Sequence, residues 1–263
     1  LTIRISDVIS KIMEPVGPLA HTVDGLEAGE PDSEVRGIVT TFMATQEVIE
    51  QAVAAGANLI ISHEASFYCH QNPIISDHDP VYAEKLKLIT ESGIAIYRCH
   101  DYVHRYNPDG ITAGLLRALG WDSVVDEHKP AAAIVTIPAM TVRETAEYVK
   151  GKLGISYVRT VGDLSAVCTR IGLSVGYRGG GALSIPLFEQ EKLDLIITGE
   201  GPEWETPEYV RDAAHQGKKK ALILLGHAQS EEPGMKALAA RLEGDFPDIR
   251  VRFISGKHSF QII

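Results

Sequence analysis

The chain is poor in the residues and patterns that would give it an extracellular, membrane or nucleic-acid character. It has three cysteines among 263 residues. Cys69, Cys99 and Cys168 are odd in number and far apart, which fits neither a disulfide framework nor a Cys-x-x-Cys metal knuckle. The expectation is a reducing, cytoplasmic compartment. No apolar run approaches the roughly 18–20 residues that a membrane span requires. The opening residues Leu1-Thr2-Ile3-Arg4-Ile5 lack an initiator Met and carry no signal-peptide cleavage pattern. Positive charge is also short: 25 basic against 35 acidic residues give a formal charge of -10. A phosphate-backbone partner needs a basic stripe, and the only basic run is Lys218-Lys219-Lys220. Nucleic acid is therefore disfavoured as a partner.

What remains is an ordinary globular composition, 44% hydrophobic and 23% charged, with 24 glycines and ten histidines. Apolar runs of strand length alternate with helical patterns. Strands are expected at Gly37–Phe42, Asn58–Ser62, Ile94–Arg98, Ala132–Ile137, Ile171–Val175, Leu193–Thr198, Ala221–Leu225 and Arg250–Ile254. Helices are expected after Thr45, over 81–91 up to Gly93, over 111–119, and from the Thr141-x-x-Glu144 capping box to Leu153. Two more are expected, one opened by Thr206-Pro207 and one from Pro233 to Leu242. A loop rich in Pro, Asn and Asp covers about 71–80. This alternation implies an α/β fold, each sheet mostly parallel or mixed and flanked by helices. The polar stretch Asp126–Pro130 suggests a domain boundary. The division expected is 1–128 plus 222–263, and 129–221.

In open α/β sheets ligands bind beyond the carboxyl ends of strands. Three strand ends carry histidine with a carboxylate. One has His63-Glu64. A second has His100-Asp101 with His104 further on. The third has His227 after Gly226, with Glu231 four residues later. Imidazole with carboxylate suits Zn, Fe, Mn, Ni or Co better than Ca or Mg. Five such ligands suit two divalent ions sharing a carboxylate bridge. Each piece also has a plainer reading. His63-Glu64 can cap a loop, and His227 with Glu231 can be an ordinary i,i+4 pair on a helix. His21, His70, His78, His128, His215 and His258 lack such company and default to surface or core roles. Cys99 reads as a small buried hydrophobe. Gly176-Tyr177-Arg178-Gly179-Gly180-Gly181 is either a tight turn or an anion cradle at a helix N-terminus. Glu200 follows a strand and either faces a site or caps a helix. There is no Gly-x-Ser-x-Gly elbow, so a serine hydrolase is unsupported.

Several segments together resemble the NGG-one-interacting-factor-three-like family, whose members are also known as GTP cyclohydrolase 1 type 2 homologues and dinuclear metal-centre proteins. They are Asp24-Gly25-Leu26-Glu27-Ala28-Gly29, Ala57-Asn58-Leu59-Ile60-Ile61-Ser62-His63, Ile171 to Gly181, Thr198-Gly199-Glu200, and Gly226-His227-Ala228-Gln229-Ser230-Glu231-Glu232-Pro233-Gly234. The resemblance covers nearly the whole chain. It implies two interlinked α/β domains, with the C-terminal segment returning to the first. It also implies a two-metal site in the first domain facing a cleft, and a ring-shaped homohexamer built as a trimer of dimers. The family's ligands carry over onto His63, His227 and Glu231.

Two positions depart from the family pattern. Glu64 stands where the family has a second His, and His104 where it has an Asp. Read as a compensated exchange, the set keeps three imidazoles and two carboxylates and holds two divalent ions. Glu203-Trp204 replaces a His-His pair of the family. The implied function is a metal-dependent hydrolase resembling GTP cyclohydrolase 1 type 2, acting on a small molecule, with Glu200 or Glu203 as general base or substrate-positioning group. The alternative is a non-catalytic metal-binding interaction or regulatory protein that acts as a ring.

Overall fold

The computed structural model describes residues 2–70, 79–257, 259, 260 and 263. Most of the loop expected over 71–80, together with His78 and His258, lies outside them. In chain order the first elements are α1 (Ile5–Met13), β1 (Gly25–Ala28), β2 (Gly37–Met43), α2 (Gln46–Ala54), β3 (Leu59–Glu64), α3 (Pro80–Ser92), β4 (Ala95–Arg98), α4 (Asp101–His104) and α5 (Gly110–Leu119). There follow β5 (Val125–His128), β6 (Ala133–Thr141), α6 (Val142–Leu153), β7 (Arg159–Val161), β8 (Val167–Leu173), α7 (Gly181–Gln190), β9 (Leu195–Thr198), α8 (Thr206–His215), β10 (Ala221–Leu224), α9 (His227–Asp245) and β11 (Arg250–Phe253). Among the described residues, no helix is long and apolar enough to cross a membrane.

Two compact units result, 1–110 with 235–263, and 111–234. The first holds a five-stranded sheet in the order β1-β4-β3-β2-β11. Three of its four pairings follow the expected parallel pattern, and β1 alone joins antiparallel, to β4. Its core is aliphatic: Val39, Ile49, Ile60, Ile89 and Ile96 are all buried. The second unit holds a mixed sheet in the order β5-β6-β8-β9-β10-β7, around Ile134, Phe188, Ile196, Val210 and Leu222. The chain is thus α/β with two sheets flanked by helices, as its alternation of apolar runs implies.

The division falls at Gly110 and Gly234, where the sequence reading places it at 128 and 222. Two local causes account for the shift. The polar stretch from Asp126 to His128 belongs to edge strand β5, paired antiparallel with β6. At the other end, β10 lies between β9 and β7, inside the second sheet.

Local signals act where the sequence shows them. Thr45 accepts from the Val48 amide at 3.2 Å, and Thr141 and Glu144 form the expected reciprocal cap. Asp79 caps α3 by accepting from the Val81 and Tyr82 amides, with Pro80 at the first helical position. Two helix starts differ from expectation. Glu205, not Thr206, is the N-cap residue of α8, and Thr206 Oγ1 instead donates to the Gly179 carbonyl at 2.7 Å. α9 begins at His227, six residues before the expected Pro233, which lies inside the helix. Proline is disfavoured there because it lacks a donor, but one lost bond in a 19-residue helix is tolerated by the packing around it.

Candidate metal centre

β3 and β4 are parallel neighbours, with Ser62 opposite Arg98. Their carboxyl ends therefore emerge side by side, His63-Glu64 from one and Cys99-His100 from the other. His63 is fully buried. Its Nδ1 lies 3.1 Å from the Cys99 carbonyl oxygen. A carbonyl only accepts, so Nδ1 carries the proton and Nε2 carries the basic lone pair.

His104 ends α4, and its Nδ1 lies 3.0 Å from Asp109 Oδ2, in a pair that is about nine-tenths buried. Here too the carboxylate accepts, which leaves Nε2 as the donor nitrogen toward any metal. A carboxylate behind an imidazole is the usual way a protein orients a metal-binding histidine. His100 Nδ1 lies 3.0 Å from Asp101 Oδ1. Burial pushes the His100 imidazole below its usual range, and the nearby His63 ring adds to this. His100 is thereby kept in the neutral form that a metal needs. Asp24, from the first segment of the family resemblance, fixes the register of this turn. Its carboxylate accepts from the amides of His100, Asp101 and Tyr102 at 2.8 to 2.9 Å.

The rings converge. His63 stacks on His100 with centroids 4.8 Å apart, and His104 meets both edge-on at 5.0 Å. One ligand atom from each of His63, His100 and His104 lies within 4.8 Å of the other two. Glu64, His70 and His100 form a second such group, and the ligand atoms of His63 and Glu64 are also within 4.8 Å of each other. The sequence gives His100 no place in the five-ligand set and leaves His70 among the incidental histidines. The structure places both in the cluster. Asp109 was missed as well. Its only sequence signal is a carboxylate five residues after His104, a spacing that fits no regular element. Asp109→Asn is expected to weaken divalent-metal binding by roughly 10–100-fold, since the amide holds the His104 tautomer less firmly. Isothermal titration with Zn(II) or Co(II) measures it, and unchanged affinity refutes the orienting role.

His227 and Glu231 lie in the other unit. Glycine at 226 adopts φ +103, and α9 starts directly after it. The i,i+4 spacing then aligns the two residues, with His227 Nε2 3.2 Å from Glu231 Oε2. Glu231 is 2% exposed. On the far side of the ring, Nδ1 lies 3.0 Å from Glu200 Oε1. An imidazole set between two carboxylate oxygens needs a proton or a cation at each nitrogen. Ser230 ties the turn together, accepting from Gly176 N at 2.9 Å and donating to the His227 carbonyl at 2.7 Å.

Glycine is required at 176. Its φ is +57, and a Cβ there would lie 2.2 Å from Glu231 Oε1. Gly176→Ala is expected to cost about 1–2 kcal/mol from the left-handed backbone and to displace the Glu231 carboxylate from His227. Denaturant unfolding reads the first effect, and the NMR titration of His227 reads the second. An unshifted His227 titration contradicts the second.

The remaining expected positions are placed as follows. Glu200 faces His227, as described. Glu203 is 78% exposed and paired with Arg159 Nη1. The glycine-rich segment ends at the start of α7, where the Gly181 amide donates to Glu205 Oε2 at 2.6 Å. The anion at that helix start is thus the chain's own carboxylate. His21, His128 and His215 are exposed.

Fold and site together define a class: a two-unit α/β protein with histidine–carboxylate groups of metal-binding composition. The chain belongs to the Duf34/NIF3 (NGG1p interacting factor 3) family, whose pattern matches residues 3–259. It is similar to a GTP cyclohydrolase 1 type 2 homolog of Clostridium perfringens, 26% identical over 97% of each chain. A protein of the same description from Escherichia coli K12 is 27% identical, covering 95% of this chain and 96% of its own. Among solved structures, the Staphylococcus aureus hypothetical protein SA1388 superposes with a TM-score of 0.80 at 21% identity over the full length of both chains. A Bacillus cereus protein related to NIF3 gives 0.77 at 17% identity, over 100% of this chain and 99% of its own. At such identities the structural likeness shows the fold.

Proposed function

We propose that this chain is a metal-dependent, hydrolase-like protein, related in chemistry to the GTP cyclohydrolase 1 type 2 homologues it resembles. The observation that carries this reading is the fixed tautomer of two buried histidines. His63 and His104 each commit Nδ1 to an oxygen acceptor, so each presents Nε2 as a ligand. With Glu64 they are the donors of the unit 1–110 plus 235–263; within the unit 111–234, His227 and Glu231 are a separate imidazole–carboxylate pair. Imidazole and carboxylate donors fit Zn, Fe, Mn, Ni or Co. A bound divalent ion would supply Lewis acidity and lower the pKa of a coordinated water. The chain's own residues orient the donors: Asp109 holds His104, the Cys99 carbonyl holds His63, and Glu200 holds His227. This reading gives Glu203 no part in the chemistry, because it is turned to Arg159 at the surface.

Elemental analysis of protein purified without added metal tests the reading. One to two equivalents of a first-row divalent ion are expected, and well under one equivalent overturns it. The substrate class is tested by turnover of GTP and simple phosphodiesters, with and without Mn, Fe or Zn. For assembly we propose the homohexamer that the family resemblance implies, tested by light scattering in solution. Turnover lost in His227→Ala with assembly intact supports the enzyme. Metal removal that disperses the oligomer, in a protein without turnover, favours a structural or regulatory role for the metal.

A further inference from the structure

The family resemblance implies a histidine at position 64, where this chain has Glu64. We propose that His70, six residues further on, supplies the missing imidazole, so that Glu64, His70 and His100 form a second metal-binding set beside His63 and His104. This rests on the metal-binding reading above and concerns which residues of this chain serve it.

Four observations carry the proposal. First, His70 Nε2 lies 2.5 Å from Glu64 Oε2. The carboxylate accepts, so Nε2 holds the proton in this arrangement. Moving that proton to Nδ1, the other imidazole tautomer, turns Nε2 and Glu64 into two adjacent ligand atoms. Second, the His70 ring meets the His100 ring edge-on at 5.0 Å, and ligand atoms of Glu64, His70 and His100 fall within 4.8 Å of one another. Third, His100 Nδ1 faces Asp101, which leaves Nε2 for an ion.

Fourth, the backbone that carries His70 is anchored from several sides. Arg98 Nη1 donates to the His70 carbonyl at 3.1 Å. Glu27 accepts from Ser66 N at 3.0 Å and from Ser66 Oγ at 2.6 Å. Lys85, 1% exposed, donates to the Ser66 carbonyl and lies over the Phe67 and Tyr68 rings at 5.4 and 5.0 Å. Buried donors and acceptors of this kind hold a segment in one conformation, which is what a ligand position requires. His100 has one lone pair and serves one ion, so this set and the His63/His104 set compete for it or divide it by occupancy.

The test uses the full chain, Co(II) and three proteins: wild type, His70→Ala and His70→Cys. Wild type is expected to bind Co(II). His70→Ala is expected to lose one equivalent, or at least about tenfold in affinity for its weaker ion, the lower end of what even an indirect ligand change costs. His70→Cys is expected to restore binding and to add a thiolate-to-cobalt charge-transfer band in the near ultraviolet that wild type lacks. A merely structural residue would not create that band. If wild type binds Co(II), and His70→Ala binds it equally well while His70→Cys shows no band, the proposal fails and the metal reading stands. If wild type binds no Co(II), both fail.

Discussion

His63→Ala is expected to cost the protein at least about a hundredfold in divalent-metal affinity. Changing a residue that only orients a ligand costs roughly 10–100-fold, and His63 is placed to be a ligand itself. It is fully buried, its tautomer is set by the Cys99 carbonyl, and its ring is in contact with both His100 and His104. The loss has a second signature. An ion that binds only the folded state stabilises it by RT ln(1 + [L]/Kd), about 2.7 kcal/mol at a free concentration one hundred times Kd. Wild type should therefore melt higher when Zn(II) is added, and His63→Ala should not respond at the same concentration. Removing a buried ring also leaves a cavity, so circular dichroism must first show that the variant folds. His104→Ala, whose side chain is about nine-tenths buried, gives the same metal readout at a second position. Equal metal content in both variants and wild type would remove these residues from the site.

The second large effect concerns packing in the unit 111–234. Gly114→Ala is expected to destabilise the protein by about 3 kcal/mol or more, at the upper end of overpacking costs. A Cβ at Gly114 would lie 2.4 Å from the Gly234 Cα and 2.7 Å from its nitrogen, with the Pro233 carbonyl carbon at 2.9 Å. These are backbone atoms of a helix, and they cannot swing aside as a side chain would. Gly234 is equally confined, since its own Cβ would lie 2.5 Å from the Ile111 Cα. α5 and the first half of α9 thus meet backbone to backbone. This is the half of α9 that carries His227 and Glu231, so a forced separation there also loosens their support. Alanine ordinarily gains about 1 kcal/mol over glycine inside a helix. Gly151→Ala in α6, where a Cβ meets nothing within 4 Å, should show that gain and serves as the control. Chemical denaturation separates the two. A Gly114→Ala midpoint equal to wild type would show that the helices part at no cost.

The same contrast shows how far each feature could be read in the amino-acid order. The inner strands of both sheets announce themselves, because buried parallel strands are continuous apolar runs such as Leu59-Ile60-Ile61. Caps at Thr45 and Thr141 are legible because their bonds close within three residues. The edge strands β1, β5 and β7 were not, since their residues alternate, are partly exposed and include Glu27, Glu127 and Arg159. The start of α9 was misplaced because Pro233 imitates a first-turn proline, and the actual start depends on the backbone at Gly226.

In the candidate site, His63, Glu64, His104, His227 and Glu231 were singled out by residue type at strand ends and by family resemblance. His70 and Asp109 were not. Each gains its role from one contact, with Glu64 and with His104, that no helical or strand period encodes. The order of residues determined the α/β class, the parallel inner strands and the chemical identity of the donors, because these follow from local periodicity and composition. Tertiary structure alone decided which nitrogen of each histidine faces outward, which incidental histidine joins the cluster, and which glycines cannot be replaced. Those depend on atoms brought within about 3 Å from distant or irregular parts of the chain, and hydrogen bonds and steric overlap act only at that range.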